Sequence, residues 1–383
     1  MPFGVYIHFP YCRAKCPYCD FAVHVVREIP HQGYADAVLR ELALRAPAFD
    51  RFGPLRSVAF GGGSPSLWEP ACLRRVLAAV RGAFPSAVPL EVSLEANPED
   101  LTADGFKQLR DLGVTRASIG VQSFDDAVLE GLGRSHGAEA ARRSVASALA
   151  AGFESVSLDL IYGGPGQTEA IARRDAREAV ESGVSHASSY ALTLDELAVD
   201  VPMAKWVRQG RVEVASSDRQ ADFGEVVRET LQAGGLKRYE ISNFAKAGAE
   251  SVHNLGYWTG EPYLGLGVGA FGADRDLRYG NTRQIAPYLE ALGRGERPPG
   301  ERDALGSDSR LREQVFLGLR LVRGLSLSEV ASEFGAARAT ALRLTAKPML
   351  ERGLAELSGD WLRLTDAGMD LHSEIAARLM PEK

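Results

Sequence analysis

The stretch Ser155–Ser182, SVSLDLIYGGPGQTEAIARRDAREAVES, places three kinds of sequence in a row. An apolar, β-branched run from Ser155 predicts a strand, and a glycine-rich turn follows it. The amphipathic segment from Glu169 to Ser182 then predicts a helix. The same unit recurs on the N-terminal side. Strand candidates are VYIHF from Val5, SVAFG from Ser57, EVSLEA from Glu91, RASIGVQ from Arg116 and, after the opening unit, HASSYALT from His186. Between them lie helical stretches at Tyr34–Arg45, Leu73–Phe84, Gly105–Leu112 and Ala138–Ala151, with capping residues ahead of them as in NPEDL and LTADGF. Repeated β-then-α units imply parallel strands, right-handed crossovers and helices on the outside. The expected fold class is α/β, an open, partial parallel β/α barrel of about six strands, preferred over a doubly wound sheet. Small and polar residues collect where the strands end, in GGGSP, EANP, GVQS and DLIYGGPGQT. Ligand sites of such folds lie at those carboxyl ends.

Further along, Asp218–Gly234 predicts another helix, followed by a strand-like KRYEISNF and a glycine-rich YLGLGVGAFG. The Pro/Gly/Arg-rich GRGERPPGERDALGSD near residue 300 reads as a linker. Beyond it come helices at Leu311–Val322, Ser326–Phe334 and Arg338–Arg352, a hairpin in GLAELSGDWLRLT and a last helix from Asp366. The expected organisation is a barrel over residues 1–235, an extension over 236–300 and a winged-helix-like α+β domain over 301–383. Winged helices often read DNA. Residues 301–383 carry twelve Lys and Arg against thirteen Asp and Glu, and so lack the basic footprint of a duplex reader.

The 383 residues are 45% hydrophobic and 25% charged, which excludes disordered and fibrous classes. A formal net charge of −6 argues against nucleic acid or anionic membrane as a main partner, leaving at most transient membrane contact. No apolar run approaches the ~20 residues that span a bilayer. The start, MPFGVYIHF, has no signal-peptide pattern, so a cytoplasmic protein is expected.

Three of the four cysteines, Cys12, Cys16 and Cys19, form C-x-x-x-C-x-x-C directly after the first strand. The fourth, Cys72, shares an apolar helical stripe with Val76, Leu77 and Val80 and reads as core. A structural zinc wants four closed ligands, and this loop supplies three thiolates, with His8 or His24 as the available fourth donor. A 4Fe-4S cluster held by three thiolates keeps one iron open, which suits a small chelating ligand. A redox dithiol is the remaining alternative.

With Tyr18 before the last cysteine, this loop resembles that of the radical S-adenosylmethionine family. GGGSPS at Gly61–Ser66, SLEANPE at Ser93–Glu99, SIGVQSF at Ser118–Phe124, GRSH at Gly133–His136 and DLIYGGPGQT at Asp159–Thr168 resemble, in order and spacing, its oxygen-independent coproporphyrinogen III oxidase group. The resemblance covers essentially the whole chain. It implies a 4Fe-4S cluster on the three cysteines and S-adenosylmethionine on the open iron, with an electron donor for the cluster. It further implies contacts to S-adenosylmethionine from Tyr6, Tyr18, Gly62, Gly63, Ser64, Glu95, Gln122, Arg134, Asp159 and Phe271. Relatives often carry Thr where Ser64 stands. Glu95 and Arg134 as an ordinary ion pair, and Gly61–Gly63 as an ordinary tight turn, are the plain structural alternatives.

Two subgroups share the scaffold. The decarboxylating oxidases carry a further Cys two residues after the third, where this chain has Phe21, and an N-terminal extension, for which the strand from Val5 leaves no room. Both departures match the heme chaperone subgroup, as does HNLGYW at His253–Trp258. That resemblance implies heme or a porphyrin as ligand and an apo-hemoprotein, respiratory enzymes among them, as acceptor. His253 then offers imidazole to heme iron, Tyr257 shares its face if the segment is helical, and Trp258 stacks on the rim. Arg275, Arg278 or Arg283 supplies cations for the propionates. A packed, hydrogen-bonded histidine is the plain alternative for His253. The chaperone subgroup commonly has His where this chain has Phe271.

Overall fold

The computed structural model describes residues 1–194 and 200–380. Six strands run parallel and adjacent in chain order: β1 Phe3–Phe9, β2 Leu55–Gly62, β3 Ser86–Ala96, β4 Arg116–Gln122, β5 Ser155–Tyr162 and β6 His186–Ala191. They are the six strands expected. A seventh parallel strand, Tyr263–Leu266, pairs with the free side of β1, so the first strand of the chain lies inside the sheet. Antiparallel strands then widen both edges. Phe271–Ala273, Leu277–Asn281 and Gly300–Ala304 follow beyond Tyr263–Leu266. Asn243–Ala245 and Lys237–Glu240 follow beyond β6.

The crossover helices form as their apolar spacing demands. In Pro70–Ala83, Pro70 sits in the first turn, where its missing N–H costs nothing, and Cys72, Leu73, Val76, Leu77 and Val80 are buried on one face. Burying each large aliphatic side chain there contributes about 1.5–3 kcal/mol before the entropy of ordering is subtracted. Cys72 is core, as its stripe predicted. The helix Glu169–Glu181 starts where Thr168 accepts a hydrogen bond from the Ile171 N–H.

Several expected elements differ in detail. KRYEISNF is two short strands folded on each other at Ile241–Ser242. The stretch near residue 300 is not a linker throughout: Gly300–Ala304 is an edge strand whose ladder comes from Leu277–Asn281. The expected helix Arg338–Arg352 divides into Ala336–Thr345 and Lys347–Glu351, where Pro348 cannot donate a helical N–H. The segment from Asp366 likewise divides into Asp366–Asp370 and His372–Leu379.

From Ser307 onward a second core forms between helices and a three-stranded antiparallel sheet of Leu325–Ser326, Trp361–Leu364 and Ala355–Ser358. It docks on the sheet edge through backbone bonds, Ile241 N–H to Arg320 O at 3.1 Å and Val322 N–H to Tyr239 O at 3.0 Å. Arg320 adds an ion pair to Glu240 at 3.0 Å and lies 4.3 Å from the centre of the Trp258 ring. Among the described residues, no helix is long and apolar enough to cross a membrane.

Candidate functional site

At the carboxyl ends of the parallel strands a cleft of about 480 Å³ opens, lined by Cys12, Cys16 and Cys19 together with residues from β2 to β6. The cysteine loop is tied to the next strand by backbone bonds from Gly63 N–H to Phe9 O at 2.8 Å and from Ser64 N–H to Tyr11 O at 2.9 Å. A Cβ on Gly63 would lie 2.7 Å from Tyr11 O, and one on Gly62, whose φ is +106°, would enter the His8 ring. These glycines are therefore required by the close approach of two protein segments, whatever binds in the cleft.

Ser64 is buried, and its hydroxyl donates to Cys12 Sγ at 3.6 Å while accepting from Asn97 Nδ2 at 2.7 Å. Arg134 Nη1 donates to Cys16 Sγ at 3.3 Å and to the Tyr18 hydroxyl at 3.5 Å. Its Nη2 donates to Asn97 Oδ1 at 2.7 Å and to Gly120 O at 3.2 Å. Arg134 thus makes no ion pair with Glu95. It stands in the loop after the short helix Asp126–Gly131 and not at a strand end. Burial raises the Cys12 thiol to about 11 and the Cys19 thiol above its ordinary value, so metal ligation has to displace their protons.

Two carboxylates face the same cleft. Glu95 Oε2 accepts from the Gly62 N–H at 3.1 Å, and burial, followed by the charge of Asp159, pushes its carboxyl up to about 7. Asp159 lies within β5, accepts from Ser118 Oγ at 3.4 Å and is pushed up to about 6 by burial. Neither has a cation within ion-pair distance among the described residues. Gln122 closes this wall with φ at +68°, a left-handed backbone that costs a non-glycine residue on the order of 1 kcal/mol or more.

The chemistry of these donors matches a cluster with S-adenosylmethionine. Among the described residues, no three His, Cys, Asp or Glu converge closely enough to hold a single metal ion. A cubane keeps its thiolates farther apart, because each binds a different iron. The two underneutralised carboxylates call for a cationic ligand, and S-adenosylmethionine carries both an ammonium and a sulfonium.

Other expected residues lie elsewhere. Tyr6 does not line the cysteine cleft; its hydroxyl bonds to His8 Nδ1 at 3.1 Å, inside the barrel. Phe271 lines a separate groove beside it. His253 is 5% exposed and sits at the opposite, amino-terminal end of the strands. It hydrogen-bonds to Ser57 Oγ through Nδ1 at 2.8 Å and to the Tyr257 hydroxyl through Nε2 at 2.8 Å. With both ring nitrogens occupied, it presents no free ligand to iron. Tyr257 shares its face on the helix Val252–Trp258, as the four-residue spacing predicted. Trp258 stacks with Arg320, so its ring serves the domain contact. Arg275 and Arg278 are paired with Glu333 and Glu313.

Sequence reasoning missed Asn97, which bridges Ser64 and Arg134, and Asp175. Asp175 accepts from Ser123 Oγ at 2.6 Å and Phe124 N–H at 2.9 Å, tying down the turn after Gln122. The motif SLEANPE contained Asn97; nothing local marked Asp175.

The Radical SAM superfamily profile matches residues 6–179, and the HemN C-terminal domain profile matches 305–371. The chain is 32% identical to the heme chaperone HemW of Bacillus subtilis over 99% of both chains. It is 37% identical to that of Mycobacterium tuberculosis over 99% of this chain and 95% of the relative. The solved structure of coproporphyrinogen III oxidase (HemN) from Escherichia coli superposes with a TM-score of 0.82 at 23% identity, covering 99% of this chain and 90% of that one. That likeness concerns the fold. The near-full-length identities decide kinship: the chain belongs to the heme chaperone HemW family of the radical S-adenosylmethionine superfamily.

Proposed function

We propose that this protein is a cytoplasmic heme chaperone that binds heme and passes it to apo-hemoproteins, respiratory enzymes among them. The observation that carries this reading is identity of 32% and 37% along practically the entire chain to relatives named for that role. In it, Cys12, Cys16 and Cys19 hold a 4Fe-4S cluster that draws electrons from a donor protein. Glu95, Asp159, Gln122, Arg134, Ser64, Tyr18 and the Gly62–Gly63 backbone form the S-adenosylmethionine pocket. When bound, the cluster supplies an open iron to chelate the methionyl amine and carboxylate, and an electron for the sulfonium. Around it, the Arg134 guanidinium and Ser64 hydroxyl donate to thiolate sulfur, while Glu95 and Asp159 balance the ligand's positive charge. Residues up to Ala304 form the cofactor-binding body, and the unit from Ser307 is an accessory domain.

The fold match to HemN favours a second reading, radical decarboxylation of coproporphyrinogen III, although one scaffold hosts many activities. Anaerobically reconstituted protein separates the two. The chaperone reading expects stoichiometric heme binding, transfer to an apo-hemoprotein and no decarboxylation with S-adenosylmethionine and reductant. Turnover of coproporphyrinogen, or rescue of a strain lacking coproporphyrinogen oxidase, would establish the oxidase instead.

A further inference from the structure

If heme binds here, HNLGYW offers its histidine little: His253 is buried and bonded to the half-buried Tyr257, and the cavity they share inside the barrel holds about 170 Å³. A flat macrocycle of some forty heavy atoms needs an open groove with aromatic walls and a cation at its edge. One such groove exists. Beside the cysteine loop lies a depression of about 260 Å³ whose walls include Phe21, Phe271, Tyr263 and Arg283, with Tyr6 and Tyr257 lining it as well. Phe21 is 56% exposed and Phe271 46% exposed, and Val25 nearby in sequence is 54% exposed. Large apolar side chains left in water beside one another mark a binding face. The Phe271 ring lies against Gly280, where a Cβ would come within 2.6 Å of it, so its position is fixed from behind.

The charge at this groove distinguishes its ligand. Arg283 has no carboxylate partner among the described residues, and its guanidinium reaches only the Asp20 carbonyl. Arg275 and Arg278, the other cations in this part of the chain, are committed to Glu333 and Glu313. A largely aromatic groove with Arg283 at its edge, and with Asp20 and His8 as the other polar groups of its lining, complements a flat apolar ligand whose carboxylate meets the guanidinium. We propose that the Phe21–Phe271 groove is the porphyrin-docking site and that Arg283 takes a propionate. This placement rests on the heme-chaperone reading. Because Asp20 and Phe21 also line the cysteine cleft, the docked ring lies next to the cluster loop.

The test is a titration of the reconstituted full-length protein with hemin, metal-free protoporphyrin IX and protoporphyrin IX dimethyl ester, read by absorbance and fluorescence. The paired change Phe21→Ala with Phe271→Ala is expected to weaken both diacids by about tenfold or more, the scale of losing an aromatic face. Arg283→Ala is expected to cost roughly tenfold, as for a charge-assisted hydrogen bond. Esterifying the propionates should cost wild type a similar factor and Arg283→Ala nothing more, a comparison that needs no folding assumption. Leu344→Ala, an exposed apolar change on the C-terminal domain, should leave binding unaltered. If wild type binds porphyrin and both groove variants bind it equally well, this placement is wrong while the chaperone reading stands. If wild type binds no porphyrin, both fall. Loss of self-association in the Phe21/Phe271 variant with porphyrin binding intact would assign the face to a second copy of the chain and overturn the proposal.

Discussion

The two ends of the barrel treat charge in opposite ways. At the amino-terminal end, Glu91 accepts from Arg116 Nε at 2.9 Å and from the backbone N–H groups of Val252 and His253 at 3.1 and 2.9 Å. Arg116 donates onward to the carbonyls of Ala249 and Glu250, and His253 has both nitrogens engaged. At the carboxyl-terminal end, the exposed Glu95 and the half-buried Asp159 face the cleft with one backbone N–H and two serine hydroxyls between them, and desolvation by the cleft walls pushes both carboxyls up. Both regions are rich in residue types that suggest catalysis. At the first end Glu91 and Arg116 answer each other's charge, although Arg116 Nη1 is left as a buried donor without a partner. At the second, two carboxylates face the cleft with no cation within ion-pair distance among the described residues, a charge that a cationic ligand would balance.

The contrast predicts effects of different kind as well as size. Replacing Cys12, Cys16 or Cys19 by Ser should abolish iron incorporation after anaerobic reconstitution, measured as iron per chain. Full iron loading of any one would remove the cleft from consideration. Glu91→Ala leaves Arg116 buried without its carboxylate and should cost about 3–5 kcal/mol in denaturant unfolding. S-adenosylmethionine affinity of the fraction still folded should be unchanged.

Glu95→Gln and Asp159→Asn should each weaken S-adenosylmethionine binding by about 1–3 kcal/mol in calorimetric titration. Unlike Glu91→Ala, they should not lower the stability of the ligand-free protein. The sign follows from linkage. A carboxyl whose folded-state value is raised binds more protons folded than unfolded between its unfolded value and about 7. Stability of the ligand-free protein therefore falls as pH rises through that window, and the amide variants should flatten this slope. A cationic ligand reverses the preference, so wild-type affinity should rise between pH 6 and 8. Affinity independent of pH, or ligand-free variants less stable than wild type, would place these carboxylates with the architecture. Ser57→Ala, which removes one partner of His253, should produce the smallest change, about 1 kcal/mol of stability with cofactor binding untouched.

What the sequence revealed of all this follows the range of the forces involved. The six parallel strands and their helices were legible because apolar periodicity is a local property and each unit repeats it. Gly300–Ala304 was not, since every residue of that strand is exposed and only the neighbouring Leu277–Asn281 supplies its ladder. The three cysteines were legible as a set because one short loop carries them. Placing His253 required knowing that Ser57 and Tyr257 would reach its two nitrogens, and a motif read along the chain does not contain Ser57. Asp175 was invisible for the same reason: its partners lie fifty residues earlier. The Glu95–Asp159 couple joins two motifs that were each readable, while their mutual proximity came from sheet order alone.

The placement of β1 inside the sheet has a consequence in time. One side of β1 pairs with β2 as soon as residue 62 is made, but its other side waits for Tyr263–Leu266. At synthesis rates of roughly 5–20 residues per second, that interval is on the order of ten to forty seconds. Throughout it, the strand leading into the cysteine loop presents an open hydrogen-bonding edge, a template for pairing with other chains. The bonds from Gly267 N–H to Glu41 at 2.8 Å and from Val268 N–H to the Tyr34 hydroxyl at 3.1 Å also arrive only then. The nascent protein thus carries its cysteine loop on an unfinished sheet for about half of its translation, and a cluster delivered to that loop before the last third of the chain emerges would meet a half-paired support.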